Sequence, residues 1–107
     1  MNEGMLFVAG FFEGSGSVSV NKKQKTVKIG FFNKDKNLLY KIRDILAIKN
    51  DVLTKPKPKG GKTFQLFVTG RENVYKFICD LLSIEWVTAK RGELGYAKEY
   101  MERENQV

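Results

Sequence analysis

The sequence predicts a single α+β domain in which a four-stranded antiparallel sheet is covered by helices on one face. The length of 107 residues suits one domain with one core. Two regions contain pairs of segments that alternate polar and apolar residues, as strands do, and each pair is followed by a segment of helical period. An additional apolar segment precedes the first pair. The predicted order of elements is therefore αββαββαα.

The first half of the chain begins with a short apolar helix, which Gly14-Ser15-Gly16 is expected to end. Two strands follow, because apolar side chains recur at every second position on both sides of a polar turn. Asp35 stands where a helix N-cap belongs, and the apolar residues after it recur at helical spacing. The predicted elements are a helix over 2–12, strands over 17–21 and 27–31, and a helix from Asp35 to near Asn50.

The second half repeats the pattern of two strands followed by helix. Pro56 and Pro58 favour an extended edge strand in the segment that begins at Asp51, and Gly60-Gly61 predicts the turn after it. Glu99 and Arg103 lie one turn apart in the last helix. The predicted elements are strands over 51–59 and 63–68 and helices over 71–82 and 91–104.

Composition excludes several classes of protein. The chain has no His and one Cys, which excludes zinc fingers, His-dependent catalytic triads, paired redox thiols and an intramolecular disulfide. No segment approaches the roughly 20 apolar residues of a membrane helix, and Met5–Phe12 lacks the basic leader of a secretion signal. We expect an intracellular protein, in the cytoplasm or an organelle matrix, that is not secreted.

Positive charge is concentrated in the middle of the chain. The overall net charge is +7. Residues 21–62 carry 13 Lys and Arg against 3 Asp and Glu, a net charge of +10, whereas the remaining residues carry −3. A block of this kind favours a polyanionic partner such as nucleic acid.

The sheet face without helices is the predicted binding surface, since a β-ribbon fits the major groove of DNA. We expect this face to include Ser17, Ser19, Asn21, Lys28, Lys55, Lys57, Lys62 and Gln65. Base edges would be read by Ser17, Ser19, Asn21, Lys28 and Gln65. Phosphates would be contacted by Lys22, Lys23, Lys25, Lys55, Lys57, Lys59 and Lys62.

The segment Val8-Ala9-Gly10-Phe11-Phe12-Glu13-Gly14-Ser15-Gly16-Ser17 resembles the motif of LAGLIDADG homing endonucleases. Seven of the nine motif positions hold the family's residue or a common substitution. Val8 replaces Leu at the first position, and Ser15 replaces an acid at the eighth. The segments Phe31–Asp35 and Thr88–Arg91 are similar to later family landmarks, so the resemblance covers nearly the whole chain.

This resemblance implies a saddle-shaped sheet, a homodimer and a long pseudo-palindromic duplex DNA site cut with Mg²⁺ or another divalent cation. The motif helix would pack against its twin through Val8, Ala9, Gly10, Phe12 and Glu13, while Leu6, Phe7 and Phe11 face the core of the domain.

Several residues are assigned to the active centre by the same resemblance. Metal would be held near Gly14 and Ser15, with Glu13 as an unfavourable substitute ligand. Lys90 would stabilise charge on the phosphate, and Asn33 would order water. Because a hydroxyl is a poor Mg²⁺ ligand beside a carboxylate, Ser15 predicts impaired cleavage.

Three alternatives stay open at this point. The first is that the chain is a non-cutting relative, which binds RNA as an intron-splicing cofactor or DNA as a repressor-like relic. The second is that it is a half-domain in which an acid was deliberately changed to Ser15. The third is that it is a basic α+β protein that binds no nucleic acid.

Overall fold

A computed structural model describes residues 3–56, 60–84 and 90–105. In these residues the chain forms four strands and four helices in the predicted order αββαββαα. The elements are α1 (Glu3–Ser15), β1 (Gly16–Asn21), β2 (Thr26–Asn33), α2 (Lys36–Leu46), β3 (Leu53–Pro56), β4 (Lys62–Val68), α3 (Arg71–Leu82) and α4 (Arg91–Asn105).

The four strands form one antiparallel sheet in the order β1-β2-β4-β3. The central pair aligns Ile29 with Val68 and Phe31 with Leu66, and these four side chains are buried. Because side chains alternate between the two faces of a strand, the residues between them point to the opposite face. The predicted α+β architecture, with helices on one face, is confirmed.

An aromatic cluster lies at the centre of the core. The rings of Phe12, Phe31 and Phe77 pack edge to face, with centroids 5.5–5.7 Å apart. These residues come from α1, β2 and α3, so the cluster joins the motif helix to the sheet and to α3. Among the described residues, none of the buried side chains is polar or charged.

The junction between α1 and β1 differs from the prediction. The helix continues through Gly14 to Ser15 instead of ending at Phe12. Its last turn is closed by Ser15, whose hydroxyl donates to the Phe11 carbonyl at 3.1 Å. Gly16 then begins β1, and a Cβ placed there would lie 2.1 Å from the ring of Phe12. The chain can leave the helix this close to the core only because position 16 has no side chain.

Helix α2 begins as predicted and ends earlier. The side chain of Asp35 accepts a hydrogen bond from the Asn37 amide at 2.9 Å, which confirms the N-cap. The predicted end near Asn50 is wrong, since Ala47 adopts a left-handed conformation with φ 55° and stops the helix at Leu46.

Helices α3 and α4 are held together by polar contacts at several points. The Tyr75 hydroxyl donates to the Glu102 carboxylate at 2.6 Å, and this hydrogen bond raises the pKa of Tyr75 to about 12. The guanidinium of Arg91 donates to the carbonyls of Leu82 and Ile84, at the end of α3.

None of the described helices is long and apolar enough to cross a membrane.

Candidate nucleic-acid interface and motif helix

The face of the sheet opposite the core is called the free face here. Its residues come from all four strands: Ser17, Ser19 and Asn21 of β1, Thr26, Lys28, Gly30 and Phe32 of β2, Thr63, Gln65 and Phe67 of β4, and Leu53 and Lys55 of β3. The register pairs Ser19 with Lys28 and Lys55 with Thr63. None of these twelve described strand residues is acidic, so the free face is basic and rich in hydrogen-bonding groups.

Six of the predicted contact residues lie on this face: Ser17, Ser19, Asn21, Lys28, Lys55 and Gln65. Asn21 also has a local role, because its side-chain oxygen accepts a hydrogen bond from the Gln24 amide at 3.1 Å and supports the turn after β1. The structure therefore groups these residues on one surface, and their contacts with nucleic acid stay a prediction.

The remaining predicted lysines do not all share this surface. Lys62 is separated by two residues from Phe64 and by four from Leu66 along β4, so it lies on the same helix side of the sheet. Its assignment to the free face was therefore wrong. Strand alternation from the buried Leu66 decides its side. Lys57 and Lys59 lie outside the described residues, as do the first two residues of the landmark Thr88–Arg91.

Two of the three lysines near the turn between β1 and β2 lie close to α4. Lys25 lies 3.8 Å from the Glu104 carboxylate, and the Lys22 ammonium lies 6.0 Å from the centre of the Tyr96 ring. Lys23 is exposed in the same turn. The pair of Lys25 and Glu104 is largely in water and contributes little stability, so Lys25 remains available to a phosphate.

Two aromatic residues of the free face were missed by the sequence analysis. Phe32 and Phe67 pack edge to face, with ring centres 5.9 Å apart, and the Lys28 ammonium lies 5.4 Å from the centre of the Phe67 ring. The signal was present, because strand alternation assigns Phe32 to the face of Lys28 and Phe67 to that of Gln65. Because Phe32 follows Phe31, and Phe67 stands between Leu66 and Val68, each lies in a run of apolar residues in which alternation is hard to recognise.

The motif helix presents a different face to solvent from the one expected. Val8, Ala9 and Phe12 are fully buried in the core of this single chain, so their assignment to a dimer interface is corrected. Leu6 and Phe7, expected in the core, are 42% and 39% exposed. Phe11 does face the core, with its ring 6.1 Å from that of Phe31. Gly10 and Gly14 are exposed, and Glu13 is partly buried.

These exposed residues form one line along α1, which we call the α1 stripe: Glu3, Leu6, Phe7, Gly10 and Gly14. Positions 3, 7, 10 and 14 are separated by four, three and four residues, the spacing of a seam between two packed helices. The glycines would let a second backbone approach closely. The α1 stripe is therefore suited to helix pairing.

The three residues assigned to the active centre lie toward the same end of the sheet. Ser15 precedes Gly16, which pairs with Phe31, and Asn33 lies two residues beyond Phe31 on β2. Helix α4 packs on β1, where Val18 and Gly92 line the same depression and Lys25 pairs with Glu104, so α4 runs in the direction of β1. Lys90, just before α4, therefore lies toward the Ser15 end.

The described side chains at this end do not make a metal site within one chain. The side-chain oxygen of Asn33 accepts a hydrogen bond from the Asp35 amide at 2.7 Å, and the Ser15 hydroxyl donates one to a carbonyl of its own helix. Within the described residues, no three His, Cys, Asp or Glu side chains come close enough together to hold a metal ion. Hard cations such as Mg²⁺ need carboxylate oxygens, so the side chains present in one chain do not fit Mg²⁺.

The sequence matches the family model of the LAGLIDADG-like domain over residues 3–80, from α1 into α3. The chain belongs to the LAGLIDADG-like family. The resemblance inferred from the motif is thus confirmed, and the match includes all nine motif positions from Val8 to Gly16. No curated protein sequence matches the chain significantly.

Solved structures of homing endonucleases share the LAGLIDADG fold of this chain. The archaeal intron-encoded homing endonuclease I-Vdi141I, complexed with DNA, has a TM-score of 0.73 at 19% identity, over 92% of this chain and 66% of its own. The LAGLIDADG meganuclease I-AabMI, bound to uncleaved DNA, has a TM-score of 0.76 at 21% identity, over 99% and 38%.

A third similar structure was determined in the presence of a divalent cation. The homing endonuclease I-CvuI, in complex with the I-CreI target and 2 mM Mg with its DNA not cleaved, has a TM-score of 0.61 at 16% identity, over 92% and 65%. The chain described here spans 38% to 66% of the length of these three proteins.

Proposed function

We propose that this LAGLIDADG-family chain binds duplex DNA as a homodimer through its free face, and that its cleavage of DNA is impaired. The observation that carries DNA binding is the free face itself, which combines Lys28 and Lys55 with serine, threonine and amide groups. Lysines supply sequence-independent attraction to phosphates, and the polar groups can read base edges. Support also comes from the DNA complexes of I-Vdi141I and I-AabMI.

The α1 stripe supports the homodimer. It leaves Leu6 and Phe7 exposed beside Gly10 and Gly14, although Val8, Ala9 and Phe12 on the other side of α1 are buried in the core. A two-fold axis through this stripe would place the same surface on both chains in contact. Two free faces would then meet two half-sites related by the same symmetry, so the target would be a pseudo-palindrome.

Impaired cleavage rests on Ser15. A second copy of the chain brings a second Ser15 and not a carboxylate, so a symmetric dimer repeats the same deficiency at both scissile phosphates. Phosphodiester hydrolysis with Mg²⁺ needs a ligand set that fixes the metal against the phosphate. We infer that binding survives in this protein while strand cleavage is slow.

Salt-dependent binding tests the proposal. The affinity for a random-sequence duplex should fall as salt rises, and Lys55→Ala should reduce the slope of log K against log salt by about one unit per chain, the value for one lost phosphate contact. Electrophoretic mobility shifts at several salt concentrations measure this slope.

The matched control is Lys76→Ala, which removes an exposed lysine from α3 on the helix side of the sheet and should leave the slope unchanged. Binding that is independent of salt, or equal losses for the two variants, would contradict the use of the free face.

A non-cutting role is the second candidate, and Ser15 is the observation that favours it. A LAGLIDADG scaffold without its acid can still bind RNA as a splicing cofactor or DNA as a repressor. Competition between duplex DNA and structured RNA at one salt concentration distinguishes these roles. Preference for RNA would support the splicing role, and preference for duplex DNA would support the DNA binding that the first proposal and a repressor role share.

A further inference from the structure

The centre of the free face is apolar, although its surroundings are polar and basic. Phe32 of β2 and Phe67 of β4 form a perpendicular pair there, with ring centres 5.9 Å apart at an angle of 86°. Leu53 of the neighbouring strand is 48% exposed on the same face. These three side chains, called the apolar island here, are not part of the core, because they lie on the opposite side of the sheet.

Gly30 gives the apolar island its shape. It pairs directly with Phe67 on one side and with Ser17 on the other. A Cβ at position 30 would lie 3.1 Å from two atoms of the Phe32 ring. The ring of Phe32 therefore leans over the space left by the missing side chain, close to the surface of the sheet.

A shallow depression continues the apolar island toward β3. The residues that line it are Lys28, Asn50, Asp51, Leu53, Phe67 and Thr69, so Leu53 and Phe67 are its apolar members and Asp51 is its one acid. The Asn50 amide donates to the Thr69 hydroxyl at 2.8 Å, so this part of the rim is already hydrogen-bonded within the chain. Apart from the charged groups of Lys28 and Asp51, the surface that the depression offers to a ligand is the apolar one of Leu53 and Phe67.

We propose that the apolar island, with Phe67 at its centre, contacts the 5-methyl groups of thymines in the major groove. This inference rests on the proposed function, that the free face binds duplex DNA. Among the groups on the base edges of the major groove, the thymine methyl is the one that is apolar, and phenylalanine is one of the side chains suited to it. Lys28 beside the rings supplies the charge that attracts the duplex.

The geometry favours methyl contact over stacking of unpaired bases. A stacked base needs an open ring face of its own size. The Lys28 ammonium lies over the Phe67 ring, and Phe32 stands perpendicular to it and leans on the sheet at Gly30. Ring edges and the Leu53 side chain remain, and these suit a methyl group.

The test replaces thymine by uracil in a duplex site selected from random sequences. With the unchanged chain, deoxyuridine at one or two positions of each half-site should weaken binding about fourfold per position, the effect of one buried methyl group. The Phe67→Ser variant should bind the thymine and uracil sites equally. The Tyr96→Ser variant removes an exposed aromatic residue that also lies beside a lysine, but on α4, and should keep the fourfold ratio.

Equal affinity of the unchanged chain for both sites would overturn the inference while leaving DNA binding intact. So would an unchanged ratio in Phe67→Ser. Tighter binding of single-stranded RNA, lost in Phe67→Ser, would show stacking instead and would also overturn it. If no duplex sequence is enriched, the proposed function fails and this inference fails with it.

Discussion

Ser15 lies in the last turn of α1, where its hydroxyl donates to the Phe11 carbonyl. It therefore acts as part of the end of the helix. A carboxylate at the same position would face the negative end of the helix dipole, at a cost of about 0.3–1 kcal/mol unless a cation neutralises it. Stability and metal binding at position 15 are thus linked.

Replacing this serine by an acid should change both the stability of the chain and its cleavage of DNA. Ser15→Asp should unfold at a slightly lower temperature without divalent cations and recover when Mg²⁺ is added, which thermal unfolding measures. On a selected site, the variant should cleave on the order of 100-fold faster than the unchanged chain, because metal-ion stabilisation of the transition state is worth several kcal/mol.

Ser15→Ala is the control for both measurements, since it removes the hydroxyl without adding a ligand; it should show neither Mg²⁺-dependent stability nor faster cleavage. Efficient cleavage by the unchanged chain in Mg²⁺ would show that Ser15 does not impair the reaction.

Ala47 is a second residue with a local consequence. It adopts φ 55° at the end of α2, a conformation in which its Cβ is crowded. Ala47→Gly should raise the free energy of unfolding by about 0.5–1 kcal/mol, or the melting temperature by about 2–8 °C.

Gly70→Ala provides the opposite case, because Gly70 has φ 89° and precedes α3. It should lower the melting temperature, although the nearest atom to its added Cβ lies 3.7 Å away and no clash occurs. If Ala47→Gly is neutral or destabilising, the left-handed cap is not strained.

Between elements, the clearest polar link joins α3 to α4 through Tyr75 and Glu102. The pKa of Tyr75 is raised to about 12, from an ordinary value of 10.0, chiefly by this hydrogen bond. The protonated hydroxyl donates, so the stabilisation is present below pH 10 and is lost as the pH rises from about 10 to about 12.

Tyr75→Phe should accordingly lower stability at neutral pH and flatten the loss of stability above pH 10. Chemical denaturation at a series of pH values measures this difference. Tyr96→Phe, which alters an exposed hydroxyl on α4, should leave the profile unchanged. An identical slope above pH 10 in Tyr75→Phe and the unchanged chain would argue against the link.

The order of elements followed from the sequence because strand alternation and helical period are strong signals over segments of this length. The exposed face of α1 did not. Residues 5–9 and 11–12 of this helix are all apolar, so periodicity alone cannot tell the buried side, with Val8 and Phe12, from the exposed side, with Leu6 and Phe7. Only the tertiary packing against Phe31 and Phe77 decides it.

Of the candidate site, the polar residues of the free face were predictable from alternation. Lys62 was misassigned because the strand was predicted to begin at Thr63, which left Lys62 outside the alternation of Phe64 and Leu66. The apolar island was hidden for a related reason. Phe32 follows Phe31, and Phe67 stands between Leu66 and Val68, so each is apolar among apolar neighbours.

For the molecule as a whole, assembly is the property that most affects function. Gly14 is exposed on the α1 stripe, and a Cβ added there has no atom within 4 Å in the single chain. A leucine at this position fits a monomer but would separate two packed helices. Gly14→Leu should therefore convert a dimer to a monomer, as measured by sedimentation equilibrium, and weaken binding to a two-half-site duplex.

Gly92→Leu is its matched control. Gly92 is likewise an exposed glycine in a helix with no atom within 4 Å of an added Cβ, but it lies on α4. Its variant should remain dimeric. Loss of the dimer in both variants, or in neither, would place the interface away from the α1 stripe.

The position of α1 has one further consequence in the proposed dimer. Val8, Ala9 and Phe12 fix the depth at which this helix lies in the core, and the stripe on its other side would touch the second chain. The packing of these three residues in the core of each chain would then set the distance between the two sheets of the dimer. The number of base pairs separating the half-sites would thus be determined by side chains that never touch DNA.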